Sequence, residues 1–152
     1  MLKVRKIQKK DEQAVRDLID SIMHNEFLND KKHYSTDDLK NITEYYSGEK
    51  DYFFVAEIDG EIIGTCAIKQ DDDKTALLRR IFLHPHFRNK GYGLVLIETA
   101  VDFCRKHGYV NLAFRGSSRM ERALNVCKKK GFKEKEKIEL GDISVFIYNL
   151  SL

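Results

Sequence analysis

From Ala76 to Cys104 the chain passes through three kinds of sequence in direct succession. Ala76 to Leu83 is apolar apart from Arg79 and Arg80, which favours a strand placed centrally in a sheet. Pro85, the chain's only proline, stops that strand, and a loop rich in cationic side chains follows. A helix then begins at Gly91, with Leu94, Ile97, Val101 and Cys104 on one face and Leu96, Ala100 and Phe103 beside it. The first amides of a helix have no partner within it, and the macrodipole adds about half a positive charge there. Gly91 and Gly93 carry no Cβ, so an anion can approach this backbone closely, and Arg88 and Lys90 add formal charge beside it. The segment reads as an anion cradle suited to phosphate. A dinucleotide fingerprint would need a third glycine where Leu96 stands, and a P-loop would need Gly-Lys followed by Ser or Thr; neither is present.

Around this segment the rest of the chain alternates between the two hydrophobic periods. Leu2, Val4 and Ile7 suggest a first strand, and from Asp11 the spacing of Ala14, Val15, Leu18, Ile19 and Ile22 predicts a helix. Asn25 to His33 reads as a polar connection, after which Ser35 or Thr36 is placed to cap a second helix through Tyr46, ended by Gly48. Tyr52 to Ile58 and Glu61 to Lys69 are strands joined by Asp59-Gly60, a preferred tight-turn pair. Asp71-Asp72-Asp73-Lys74 is a charged turn before the Ala76–Leu83 strand. After the Gly91 helix and Gly108 come a strand (Tyr109 to Phe114), a helix (Ser118 to Lys130, stopped by Gly131), and two last strands, Phe132 to Leu140 and Ile143 to Leu150. The order is β-α-α-β-β-β-α-β-α-β-β. With no repeat, linker or composition break, residues 1–152 form one α/β (α+β) domain, a mixed sheet covered by helices.

Composition narrows the function. A net charge of +3 is too small to argue for nucleic acid, yet it permits a local site for an anionic cofactor. Cys66, Cys104 and Cys127 are odd in number and widely spaced, so neither a metal site nor a disulfide framework is suggested. The chain opens on Leu2-Lys3-Val4-Arg5 without an apolar signal core, and no stretch approaches the roughly 20 apolar residues that span a bilayer. A soluble, cytoplasmic protein without a membrane partner is expected.

Arg88-Asn89-Lys90-Gly91-Tyr92-Gly93 matches the R/Q-x-x-G-x-G/A turn that the GNAT acyltransferases place between their fourth strand and third helix. Leu83-His84-Pro85 resembles the lead into that turn, the element order is similar, and Lys130-Gly131-Phe132 resembles the end of the family's next helix. The likeness covers essentially the whole chain, and its two segments in this context make it specific. It implies the GNAT acyl-CoA N-acyltransferase fold and transfer of an acetyl group from acetyl-CoA to a primary amine of a small molecule or a protein, by direct attack on the thioester. It also implies that the turn, Arg88 to Gly93, binds the coenzyme A pyrophosphate, and that Phe82 and Leu83 contact the pantetheine arm through main chain. No metal is implied, and a monomer and a homodimer are both compatible.

The catalytic groups are less plain. The strand that often carries the family's base offers only Arg79 and Arg80, and an arginine is no base at neutral pH. His84 and His86 are the nearest titratable groups; Glu57, Glu61 and a water chain are alternatives. The family's A-x-x-x-Y-x-x-x-G-F appears as Ala123-Leu124-Asn125-Val126-Cys127-Lys128-Lys129-Lys130-Gly131-Phe132, with Cys127 in place of the tyrosine. Cys127 is either a replacement acid or a small packing residue. Met120 stands where an asparagine is often found, and Ser118, or Ser117, is a candidate to replace that cofactor contact. Arg79 and Arg80 are expected on opposite strand faces, one of them meeting a carboxylate-bearing substrate or forming a structural ion pair with the acidic turn. His24, Glu26, His33, Tyr34, Tyr45 and Tyr46 fall in segments that shape the acceptor groove. Lys128-Lys129-Lys130 reads as solvated surface. A catalytically degenerate acyl-CoA-binding module is the alternative function.

Overall fold

The computed structural model describes residues 1–28 and 34–152. Its elements run β1 (Lys3–Lys6), α1 (Glu12–Glu26), α2 (Ile42–Tyr45), β2 (Tyr52–Ile58), β3 (Glu61–Gln70), β4 (Thr75–Leu83), α3 (Tyr92–Lys106), β5 (Asn111–Ser117), α4 (Glu121–Lys130), β6 (Lys133–Glu139) and β7 (Ser144–Ser151). This is the order expected from hydrophobic periodicity. The strands form one sheet, β1-β2-β3-β4-β5-β7-β6, antiparallel throughout except where β4 meets β5. The apolar Ala76–Leu83 segment accordingly lies at the sheet centre.

Period-two alternation sorts the strand side chains into two cores. Phe53, Val55 and Ala67 face α1 and pack with Val15, Leu18, Ile19 and Ile22. Phe54, Cys66, Ile68, Leu78, Leu112 and Phe114 face α3 and α4 and pack with Leu96, Ile97, Val101, Leu124 and Cys127. The alternation breaks at bulges, in β3 between Ile63 and Cys66 and again in β4. In β4, Leu78 belongs to the α3 side and Phe82 to the α1 side, although both numbers are even. The register explains it: Arg79 pairs with Ala67 and Phe82 with Thr65, so Arg80 and Ile81 together oppose Cys66 in a β-bulge. Arg80 takes a left-handed φ of 53° to make it.

The segment expected as a helix from Ser35 to Tyr46 is instead a short 3-10 turn, Asp37–Leu39, followed by the four-residue α2. Polar side chains drawn away from helical hydrogen bonding account for this. Asp38 turns inward to 2% exposure, bonded to Arg80 and Tyr46, and Asn41 is non-helical at φ −140°, ψ 77°. Among the described residues no helix is long and apolar enough to cross a membrane.

Candidate active site

β4 and β5 pair only from Thr75–Asn111 to Leu78–Phe114. Beyond that point the two parallel strands part, leaving Arg79–Leu83 without a partner on that side. A groove occupies the gap and widens into two parts. One, of about 600 Å³, runs toward the start of α3 and along α4; the other, of about 510 Å³, runs along β5 beneath Tyr34 and Ser35. They share Ile81, Phe82 and Met120, so these residues mark where the two parts meet. Both volumes fall in the range of small-molecule sites.

The α3 part is built around exposed main chain. Asn89 and Gly91 hold left-handed φ of 63° and 83°. A Cβ at Gly91 would meet nothing within 4 Å, so backbone conformation rather than space makes glycine the suited residue there. This turn sets the first-turn amides of α3, from Tyr92 onward, at the mouth of the groove. Phe82, Leu83, Arg88, Asn89, Gly91, Tyr92 and Gly93 all line it. Lys90 does not, and Ser118 does not either. The Ser118 amide donates to the Ser144 carbonyl at 2.8 Å, and its hydroxyl accepts from the Ser144 amide at 3.4 Å.

Arg88 is in the groove wall, but its charge is already matched. Its guanidinium makes two bonds to Glu26 at the end of α1, of 2.7 and 2.8 Å, and its Nε donates to the Leu83 carbonyl at 3.1 Å. Bidentate pairing with Arg88 holds the Glu26 carboxyl below its usual range despite partial burial. Arg88 thus braces α1 against the turn rather than standing free beside it. Three further cations line the groove: Arg119 and Arg122, which sequence reading passed over, and Lys129, which it assigned to solvated surface; Arg122 also reaches Glu26, at 3.4 Å. Arg122, Asn125 and Lys129 recur at three and four residues on one face of α4, a spacing visible in the sequence once that face is known to border a groove.

The second part is lined by arginines. The bulge, by giving β4 an extra residue, cancels the expected opposition of Arg79 and Arg80: both reach Asp38. Arg80 bonds it through Nε at 2.9 Å and a terminal nitrogen at 2.6 Å, while a terminal nitrogen of Arg79 stands 4.0 Å away and another donates to the Tyr45 hydroxyl at 3.4 Å. Burial pushes the Asp38 carboxyl up, but the Arg80 and Tyr46 hydrogen bonds outweigh it and the net shift is downward. The partner of these arginines is Asp38, not the acidic turn at Asp71–Asp73. Tyr34 lines this part and donates to the Met120 sulfur at 3.5 Å, Glu26 lies in the other, and His33 falls outside the described residues.

Neither catalytic candidate lines the groove. The His84 Nδ1 accepts from the His86 amide at 3.1 Å, and its ring packs edge-on to Phe87. Cys127 sits on the sheet-facing side of α4, fully buried in the core, where desolvation pushes its thiol up to about 12. A thiol so placed fills the helix–sheet interface. Glu57 pairs with Arg5 at 3.0 Å and lines neither part.

A model of the Acetyltransferase (GNAT) family matches residues 15–133. A probable N-acetyltransferase of Xenopus tropicalis, camello, is 33% identical over 98 residues, 63% of this chain and 44% of that relative, so the chain spans less than half of its length. An uncharacterised N-acetyltransferase of Chlorobaculum tepidum is 34% identical over 65% of this chain and 70% of its own. Among solved structures, a GNAT-family acetyltransferase of Staphylococcus aureus superposes with a TM-score of 0.87 at 19% identity over 99% of both chains. A Salmonella typhimurium acetyltransferase solved with its cofactor acetyl-CoA gives 0.80 at 18% identity over 99% of this chain and 93% of its own. These structural likenesses bear on the fold.

Proposed function

We propose, from the premise that this chain belongs to the acetyltransferase (GNAT) family, that it transfers an acetyl group from acetyl-CoA to a primary amine by direct attack on the thioester. The observation that carries the reading is the meeting point itself. A row of open helix amides and the unpaired end of β4 lead along one part of the groove to Ile81, Phe82 and Met120, where a second part enters from the opposite side. A phosphate-bearing, amide-bearing carrier fits the first part: its diphosphate against the start of α3 with Arg122 and Lys129 near, its arm against the main chain of Ile81–Leu83. Bound there, acetyl-CoA supplies an activated acetyl carbonyl.

The chain's contribution is then to position and to polarise. The open β4 edge offers main-chain donors where charge grows on the carbonyl oxygen, and donors already in place are effective because they need no reorganisation. The incoming amine, with a pKa of about 10.4 if it is lysine-like, must enter neutral. Arg79, Arg80 and Arg115 line its path, and like charges favour the deprotonated form. Its proton leaves through the open groove to water; as the C–N bond forms the C–S bond breaks, and the departing thiolate takes the proton that the nitrogen then sheds, which needs neither His84 nor Cys127.

Calorimetry with acetyl-CoA and thiol release over an amine panel test the reading together. Saturable binding with amine-dependent release is expected; no binding at millimolar carrier would overturn it. The burial of Cys127, where the family has a tyrosine, favours a second reading, an acyl-CoA-binding module without turnover. Saturable binding with no release from any amine would select that one.

A further inference from the structure

The last rung shared by β4 and β5 is Leu78–Phe114, and the next residue on each strand is an arginine, Arg79 and Arg115. They lie on the same sheet face. Arg79 is paired with Ala67, which packs toward α1, and Arg115 follows Phe114, which packs toward α3. The strands part at this step, so the two guanidinium-bearing positions flank the opening of the groove. Like charges facing across a sheet are unfavourable unless something sits between them.

Among the described residues, little does. Arg80 is committed to Asp38 and to the Ser35 carbonyl, with only 8% of its side chain exposed. Arg79 reaches the same carboxylate only at 4.0 Å. The Arg115 side chain is exposed and makes no hydrogen bond or ion pair with any other described residue, and Ile147, its ladder partner, separates it from Glu136 on the next strand. Among the described residues lining this part of the groove there are three arginines and no carboxylate. Asp38 therefore serves Arg80 fully and Arg79 at its limit, and the guanidinium forks of Arg79 and Arg115 retain donors.

We infer that the acceptor is an amine that also carries a carboxylate, held between Arg79 and Arg115 while its amine points toward Ile81 and Phe82. This rests on the acetyl-transfer reading and names its substrate class. Paired, planar N–H donors match a planar carboxylate in two-point fashion, as Arg80 already does with Asp38. The same chemistry is offered by a free amino acid and by an acidic side chain near a peptide terminus.

Product binding tests the inference without turnover. Protein loaded with coenzyme A is titrated, by NMR, with N-acetylated ω-amino acids of two to five carbons and with the carboxamide of each. At least one acid should bind about tenfold or more tighter than its amide, the scale of one charge-assisted bond. Arg115→Gln should erase that preference while leaving the amide's affinity as it was, and Arg115→Lys should restore part of it. An N-acetyl-aspartyl peptide amide, run alongside, separates the peptide source from the free amino acid; preference for either supports the inference. Equal binding of acids and amides, no binding across the series, tighter binding of N-acetylphosphoethanolamine, or equal weakening of acid and amide by Arg115→Gln would each overturn it. Carrier binding is measured separately by calorimetry, so failure of the parent reading is seen as such.

Discussion

The two parts of the groove acquire positive potential by different means. On the α3 side main chain contributes: a left-handed Asn89 and Gly91 set an open row of amides, while Arg88, the cation of that turn that lines the groove, is matched by Glu26. On the β5 side it comes from side chains, with one inward aspartate shared by Arg79 and Arg80 and, among the described residues, none for Arg115. Backbone charge does not depend on rotamers or partners and recognises an anion by position. Side-chain charge is adjustable, and a bulge or a single carboxylate redirects it. The first suits a ligand shared by a whole family, the second a ligand particular to one member.

Removing the hub of the side-chain half should have the largest effect. Asp38→Ala leaves Arg80 buried without its counter-ion and should destabilise the fold by about 3–5 kcal/mol, read from urea unfolding. A loss under about 1 kcal/mol would mean that the arginines are held by other means. The same carboxyl predicts a pH dependence. Because it titrates lower in the native state than in the unfolded chain, its contribution is whole above the unfolded value of about 3.9 and is lost as pH falls through the native one. Asp11, held down chiefly by its hydrogen bond to Arg5, and Glu26, held down by Arg88, act in the same sense. Stability should therefore fall steeply below about pH 4, and less steeply in Asp38→Ala.

The main-chain half should respond to charge rather than to loss of contacts. Gly91→Asp sets a carboxylate before the amide row, so the acetyl-CoA dissociation constant should rise about tenfold or more, while the left-handed backbone costs about 1 kcal/mol of stability. An unchanged constant would remove this turn from the site. Cys127→Ala should lower stability by about 1 kcal/mol, as a small cavity does, and leave kcat of acetyl transfer intact. A large fall in kcat at constant stability would return the thiol to catalysis. The smallest effect separates folding from binding. A Cβ at Gly93 would meet only Val126, at 3.8 Å, so Gly93→Ala should stabilise α3 by about 0.5–1 kcal/mol while weakening acetyl-CoA binding. Tighter binding in that variant would show that the carrier does not approach there.

What could be read from the chain beforehand follows the same division. The amide row was legible because contiguous residues encode it: an apolar strand, a proline, then glycines opening an amphipathic helix. The order of elements along the chain followed from two hydrophobic periods for the same reason. The side-chain half was not legible. Arg88 finds Glu26 at 62 residues' separation and Arg80 finds Asp38 at 42, and no local pattern announces either pairing. The bulge at Arg80 that turns both arginines to one carboxylate depends on packing of β3 against β4, so alternation alone placed them on opposite faces. The helix expected from Ser35 to Tyr46 failed for a related cause, since Asp38 is drawn to a partner that only the folded sheet supplies. Cys127 stood out as a departure from the family's tyrosine, but only its position on the inner side of α4 distinguishes a packing group from a proton donor.

The parting of β4 from β5 also makes the sheet mechanically uneven. Seven strands are stitched across their full width for only the first four rungs of the central pair, and beyond Leu78–Phe114 the strands β1–β4 and the strands β5–β7 are two flaps sharing a short spine. A guest that bonds to the free lip of β4 and packs on α4 behaves as a temporary seam. Its occupancy should slow amide hydrogen exchange along Arg79–Leu83 and in α4 together, stiffening a region wider than the surface it touches.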